Sequence, residues 1–137
     1  MAQDTKNFKV SEFACKHCGE NKIDQRVINM AQEIRDKLGV AVRVNSGYRC
    51  EAHNAKVGGA QKKYDKNGKL VSKGSKHMYG LACDLSCSLG AKKMKEAVQA
   101  LRAEGRLQDM DYCITYGNRF IHIDCGGKRS RLYEDRA

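Results

Sequence analysis

The residues best suited to chemistry stand together in Ser75-Lys76-His77-Met78-Tyr79-Gly80-Leu81-Ala82-Cys83-Asp84, where an imidazole and a carboxylate are set among small neighbours. Zinc takes imidazole nitrogen at ~2.0–2.1 Å and carboxylate oxygen at ~2.0–2.2 Å, so a ligand pair needs a backbone that delivers both to one point. The spacing from His77 to Asp84 exceeds one helical turn. It suits a loop that turns at Gly80 and enters a strand at Ala82. Alternation along that strand sets Ala82, Asp84 and Ser86 on one face and Cys83 and Leu85 on the other. Gly80 and Ala82 read as clearance. On residue types alone, an exposed loop histidine and an ordinary strand-end carboxylate fit equally well.

A third residue separates these readings. In Phe120-Ile121-His122-Ile123-Asp124, alternation puts Phe120, His122 and Asp124 on one face and the two isoleucines on the core side. A His, Asp and His set leaves a fourth tetrahedral position for water, as catalytic rather than structural zinc sites do.

The first stretch reads S-x-H-x-x-G-x-A-x-D and resembles the signature of the zinc D-alanyl-D-alanine carboxypeptidase family, in the lysostaphin, carboxypeptidase and hedgehog group of metallopeptidases. Ser46-Gly47-Tyr48-Arg49, His53-Asn54 and Val57-Gly58-Gly59-Ala60 are similar to the family's stretch ahead of its first zinc ligand, and the strand at His122 resembles its last one. The likeness runs from about Phe8 to Gly126. It implies one Zn2+ held by His77, Asp84 and His122, and a peptidoglycan peptide substrate cut near D-alanine, by a carboxypeptidase or an endopeptidase. It also implies that Arg49 acts in catalysis and substrate binding, on a carboxylate or an oxyanion, with Ser75 making a polar substrate contact. Several relatives carry Glu or Asp three residues before the last ligand, or His two before it. Here Arg119 and Phe120 occupy those places, and neither takes a proton. Asp124, facing the same way as His122, is then the best carboxylate, as general base or as orienter of a histidine, with Asp111 more distant.

Size and composition bound the rest. The 137 residues make one domain, residues 1–137, and the 41% hydrophobic and 31% charged shares describe a soluble globular chain. No apolar run approaches the ~20 residues of a membrane span. The first eight residues lack the apolar core of a signal peptide, which reads as cytoplasmic synthesis, with action on the cell wall after release at lysis, as for a phage endolysin. A formal charge of +10 attracts nucleic acid, a membrane surface or an anionic cell wall without choosing among them. Two alternatives stand beside the peptidase: a catalytically inactive zinc-binding module of the same fold, and a basic nucleic-acid-binding protein. The second is disfavoured by an aromatic share of 7% and the lack of a nucleic-acid motif. A monomer is expected.

Seven cysteines leave at least one unpaired, and without a secretory signal a disulfide framework is the weaker reading. Cys15-Lys16-His17-Cys18 has the spacing of a zinc knuckle or a redox pair, but no second pair follows and the nearest later cysteine is Cys50. Cys83, Cys87 and Cys125 read as small core residues.

The elements that must position the site follow from periodicity. Residues 1–9 read as a loose arm, and a short turn over 10–13 anchors Phe13. Asp24 caps a helix whose Val27, Ile28, Ala31, Ile34 and Leu38 face inward and which Gly39 closes. Val40, Val42 and Val44 alternate in a strand, and His53, Asn54 and Gly58-Gly59 read as loop scaffolding. Residues 61–74 form a charged insertion beside the cleft, with a hairpin turning at 65–68 and a second arm over 69–72. A second helix spans 89–104, capped by Ser88 and stopped by Gly105. Strands over 110–116 and 119–125 flank a two-residue turn at Gly117-Asn118, which pairs Tyr116 with Arg119, Cys113 with His122 and Asp111 with Asp124. Cys113 would then share the polar face. Residues 128–137 read as a peripheral tail. The fold expected is α+β, a small mostly antiparallel sheet with two main helices on one face and the site on the other, hedgehog-like by resemblance.

Overall fold

A computed structural model describes residues 2–127 and 132–137. In chain order the elements are a 3₁₀ turn (Val10–Phe13), α1 (Gln25–Leu38), β1 (Val42–Ser46), α2 (Glu51–Lys56), β2 (Lys63–Tyr64), β3 (Leu70–Ser72), a second 3₁₀ turn (Lys76–Tyr79), β4 (Ala82–Cys87), α3 (Ala91–Ala103), β5 (Met110–Tyr116), β6 (Phe120–Cys125) and β7 (Tyr133–Arg136). Five strands form one sheet in the order β1-β4-β6-β5-β7, antiparallel except for the parallel β5–β7 pair. This is the expected α+β architecture.

Strand period 2 divides that sheet. Cys83, Leu85, Cys113, Ile121 and Ile123 point to a core filled by Val27, Ile28, Ala31 and Ile34 of α1 and by Met94, Val98 and Leu101 of α3. The Asp24 carboxylate accepts from Arg26 N at 2.9 Å and starts α1, and Gly39, at φ 71°, ends it. The expected cap of the second helix is displaced. Ser88 lies ahead of Gly90, and the first turn of α3 is satisfied by Asn118, whose carbonyl and side-chain oxygens accept from Ala91 N and Lys92 N. The turn between β5 and β6 thus caps a helix on the other side of the sheet's edge.

That turn also corrects the register. Gly117, Asn118 and Arg119 form a three-residue loop, with Arg119 N donating to Tyr116 O at 3.1 Å. Tyr116 therefore pairs with Phe120, Ile114 with His122, Cys113 with Ile123 and Tyr112 with Asp124. A slip of one residue turns every side chain over. Cys113 goes into the core, and Tyr112, Ile114 and Tyr116 line the polar face instead. Asp111 keeps its contact with that face for a different reason: the ladder bulges between Met110 and Tyr112.

Four placements differ from expectation. The strand after α1 starts at Val42, and residues 51–56, read as loop, form α2 with Cys50 as its cap. Residues 2–9 are stitched down rather than loose. Phe8 is buried, Asn7 N and the Thr5 hydroxyl donate to Gln32 Oε1, and Gln3 N donates to Gln25. Of the tail, residues 128–131 lie outside the described residues, while Tyr133–Arg136 extends the sheet as β7 rather than lying at the periphery. The insertion does fold as a hairpin: β2 pairs with β3 around a turn in which Asp65 Oδ1 accepts from Asn67 N and Lys69 N. Among the described residues no helix is long and apolar enough to cross a membrane.

Candidate metal centre

The centre rests on neighbouring strands. β4 pairs with β6 so that Asp84 lies directly opposite His122. Gly80, in the left-handed region at φ 71°, turns the chain from His77 into β4. A Cβ on Gly80 would stand 1.8 Å from Lys22 O, so only glycine fits this turn. Ser75 caps the 3₁₀ turn that presents His77, its hydroxyl accepting from His77 N at 3.2 Å. One donor atom from each of His77, Asp84 and His122 lies within 4.8 Å of the other two. The three residues expected to share an ion are brought together.

Their hydrogen bonds define what the cluster needs. His77 Nδ1 donates to Gly47 O at 2.8 Å, which leaves Nε2 as the lone-pair nitrogen of a neutral ring. Burial drives the His77 pKa below its ordinary value, so the ring stays neutral. That lone pair faces Asp84 Oδ1 at 3.2 Å, acceptor against acceptor. His122 approaches the same oxygen with Nδ1 at 3.1 Å and donates from Nε2 to Asp124 Oδ2 at 2.7 Å. Burial by itself would lower the His122 pKa, but its hydrogen bonds to Asp124 and Asp84 raise it to about 9. Burial likewise opposes ionisation of Asp84, yet its contact with His122 holds the carboxyl below the usual range. A cation at this point, displacing the proton on His122 Nδ1, would meet three lone pairs and remove the conflict at His77. Donors bound to one tetrahedral zinc at ~2.0–2.1 Å stand about 3.3 Å apart, which the 3.1–3.2 Å separations match. The donor set fits zinc.

Around it, Arg49 is held from three sides. Its Nε donates to Ser46 Oγ at 2.9 Å, one terminal nitrogen to Asn54 Oδ1 at 3.3 Å and the other to Asp84 Oδ2 at 3.1 Å. Burial lowers its pKa, although a guanidinium remains charged regardless. Asp124 engages both oxygens, Oδ2 with His122 and Oδ1 with Lys76 Nζ at 3.2 Å. Lys76 Nζ also reaches Asp111 Oδ2 at 2.9 Å and so bridges two buried carboxylates. Ser75, Arg49, Lys76, Tyr112, Tyr116, Phe120 and Glu134 line a cleft of about 520 Å³ that opens over the three donors. The cleft has the volume of a small-ligand site, with aromatic, cationic and acidic walls.

Three contributors were missed in the sequence. Lys76, between two signature residues, offered no spacing signal because its partners lie far along the chain. Asn54, fully buried, donates to Ala60 O at 2.9 Å while steadying Arg49, and Gly59 packs so closely that a Cβ there would strike its Oδ1. Glu134 entered the cleft only because β7 joins the sheet beside Ile114.

A family model described as Peptidase M15 matches residues 6–124. No curated protein sequence matches the chain.

Proposed function

Because the chain belongs to the M15 peptidase family, whose members are zinc-dependent, we propose that it hydrolyses peptide bonds of peptidoglycan near D-alanine, with one catalytic Zn2+ on His77 Nε2, Asp84 Oδ1 and His122 Nδ1. The observation that carries this reading is the neutral His77 lone pair, aimed with His122 at a single Asp84 oxygen beneath an open cleft. When bound, the ion supplies a water with its pKa lowered towards ~7 and a Lewis acid for a carbonyl oxygen.

The chain's own residues supply the remainder. Asp124 holds the His122 ring by its Nε2–H and fixes which nitrogen faces the metal. Both its oxygens are engaged, which suits a positioning group; the water proton is assigned to Glu134, a carboxylate of the same cleft wall that is ion-paired with Arg136, with Asp124 as the alternative acceptor. Arg49 has five N–H donors, of which three are spent on Ser46, Asn54 and Asp84. The others suit a substrate carboxylate or a developing oxyanion. The Ser75 hydroxyl offers a polar contact on the same wall. The +10 charge favours an anionic cell wall as the setting, as in a lysin.

A second reading is a zinc-binding module without catalysis, favoured by Arg119 and Phe120 where relatives carry a proton acceptor. Digestion of purified peptidoglycan and defined muropeptides, followed by mass spectrometry, decides between them. The peptidase reading expects cleavage that is lost with a chelator and restored by zinc. Stoichiometric zinc with intact muropeptides would leave the module. Cleavage of none, with salt-sensitive DNA binding, would leave the basic nucleic-acid-binding protein.

A further inference from the structure

A second set of metal-type donors stands outside the cleft. One ligand atom from each of Cys15, Cys18 and Cys50 lies within 4.8 Å of the other two, and all three thiols are free. His17 Nδ1 is 3.4 Å from Cys50 Sγ. The backbone is folded for the purpose. Gly19 N donates to Cys15 O at 2.9 Å and Cys15 N to Glu20 O at 2.8 Å, which closes a tight loop around the C-x-x-C pair. Gly19 takes the left-handed conformation, φ 79°, that lets the loop double back. Two amides point at sulfur: Cys50 N at Cys15 Sγ and His53 N at Cys50 Sγ, each at 3.4 Å. Amide donors of this kind support a thiolate, as partners behind metal ligands do.

We propose that Cys15, Cys18 and Cys50 bind a second, structural zinc ion, with His17, set beside Cys50 Sγ rather than within the trio, swinging in as the fourth ligand. Zinc–sulfur bonds of ~2.3 Å at tetrahedral angles place sulfurs about 3.8 Å apart, within the observed spacing, whereas a disulfide would need ~2.0 Å. A Cys₃His set fills all four positions, so this ion has no corner for water. The site was hidden in the sequence because one distant cysteine, Cys50, and a histidine inside the C-x-x-C pair stand where a second cysteine pair would be expected.

The ion would clamp two loops that serve the catalytic centre. Cys50 ends the segment that carries Gly47 and Arg49, and Cys15 follows Phe13. Tyr48 N already donates to Phe13 O at 2.8 Å, and a Cβ on Gly47 would lie 2.4 Å from that same oxygen. Gly47 O fixes the His77 tautomer and Arg49 N donates to His77 O at 3.0 Å. The cysteine corner therefore holds the loop from which His77 is oriented.

The test is zinc content of the purified, reduced protein by native mass spectrometry, with thiol counting. Two zinc ions per chain are expected. His122→Ala and Cys18→Ser should each retain one, and the double variant none. Should Cys18→Ser not fold, cobalt substitution of the unaltered protein reads the same point, since thiolate ligation gives intense near-ultraviolet charge-transfer bands that histidine and carboxylate do not. A single zinc lost in His122→Ala and indifferent to thiol blocking, or a disulfide within the trio, overturns the inference and leaves the proposed peptidase standing. A single zinc released by thiol blocking and kept in His122→Ala upholds the inference and removes the catalytic ion instead.

Discussion

The two donor clusters differ in what carries them. His77, Asp84 and His122 are fixed by a central strand pair and a glycine turn, the first two buried and the third half-buried, and face a cleft. Cys15, Cys18 and Cys50 sit on loops away from the sheet, with Cys18 exposed to solvent. Nitrogen and oxygen donors with an open side suit an ion that must exchange ligands, whereas thiolates in a closed set suit one that must not. The contrast teaches that rigidity here comes from two sources. The sheet gives it directly to one cluster, and the other lends it to loops that lack regular structure.

Ways to break the contrast begin with the ligand itself. His122→Ala should reduce muropeptide cleavage to background, measured by product chromatography, while the cysteine cluster keeps its ion. Glu134→Gln should lower kcat by about 10²–10⁴, the usual contribution of a positioned proton acceptor, without loss of zinc. Steady-state kinetics beside metal analysis checks this, and an undiminished kcat would return the role to Asp124. Asp124→Asn should weaken zinc binding or activity by about 10–100-fold, since it removes the group that orients His122. Competition with a chromogenic chelator measures it.

The smallest effect is one of pH. The proton on His122, with its pKa raised to about 9, competes with the metal, so zinc uptake by metal-free protein should tighten by up to about tenfold per pH unit towards that value. In the metal-free chain that proton stabilises the fold fully below the ordinary histidine value of ~6.5, and the contribution is lost as pH rises through about 9. Thermal melts with and without zinc from neutral to alkaline pH should therefore diverge. Parallel curves would show that His122 is not the shared ligand.

The parts of the molecule legible in the sequence are those governed by a local period. Alternation in β4 and β6 sorted Asp84 and His122 from Cys83, Leu85, Ile121 and Ile123, and Asp24 with Gly39 marked the ends of α1. The hairpin register failed because nothing local distinguishes a two-residue from a three-residue loop at Gly117-Asn118, and one residue reverses a face. Lys76, Asn54 and β7 failed for another reason. Their partners are brought in by tertiary folding, so Lys76 shows its part only when Asp111 and Asp124 are seen together. The mixed outcome at Asp111, facing as expected but by way of a bulge, shows that a correct placement can follow from an incorrect ladder.

The packing of Gly80 on Lys22 O carries a consequence for dissection of the chain. A fragment starting at Val42 would contain His77, Asp84 and His122, yet it would lack the carbonyl against which the turn after His77 is seated. Grafting the signature alone onto a foreign amino-terminal half should therefore yield a protein that carries the residues without their aim.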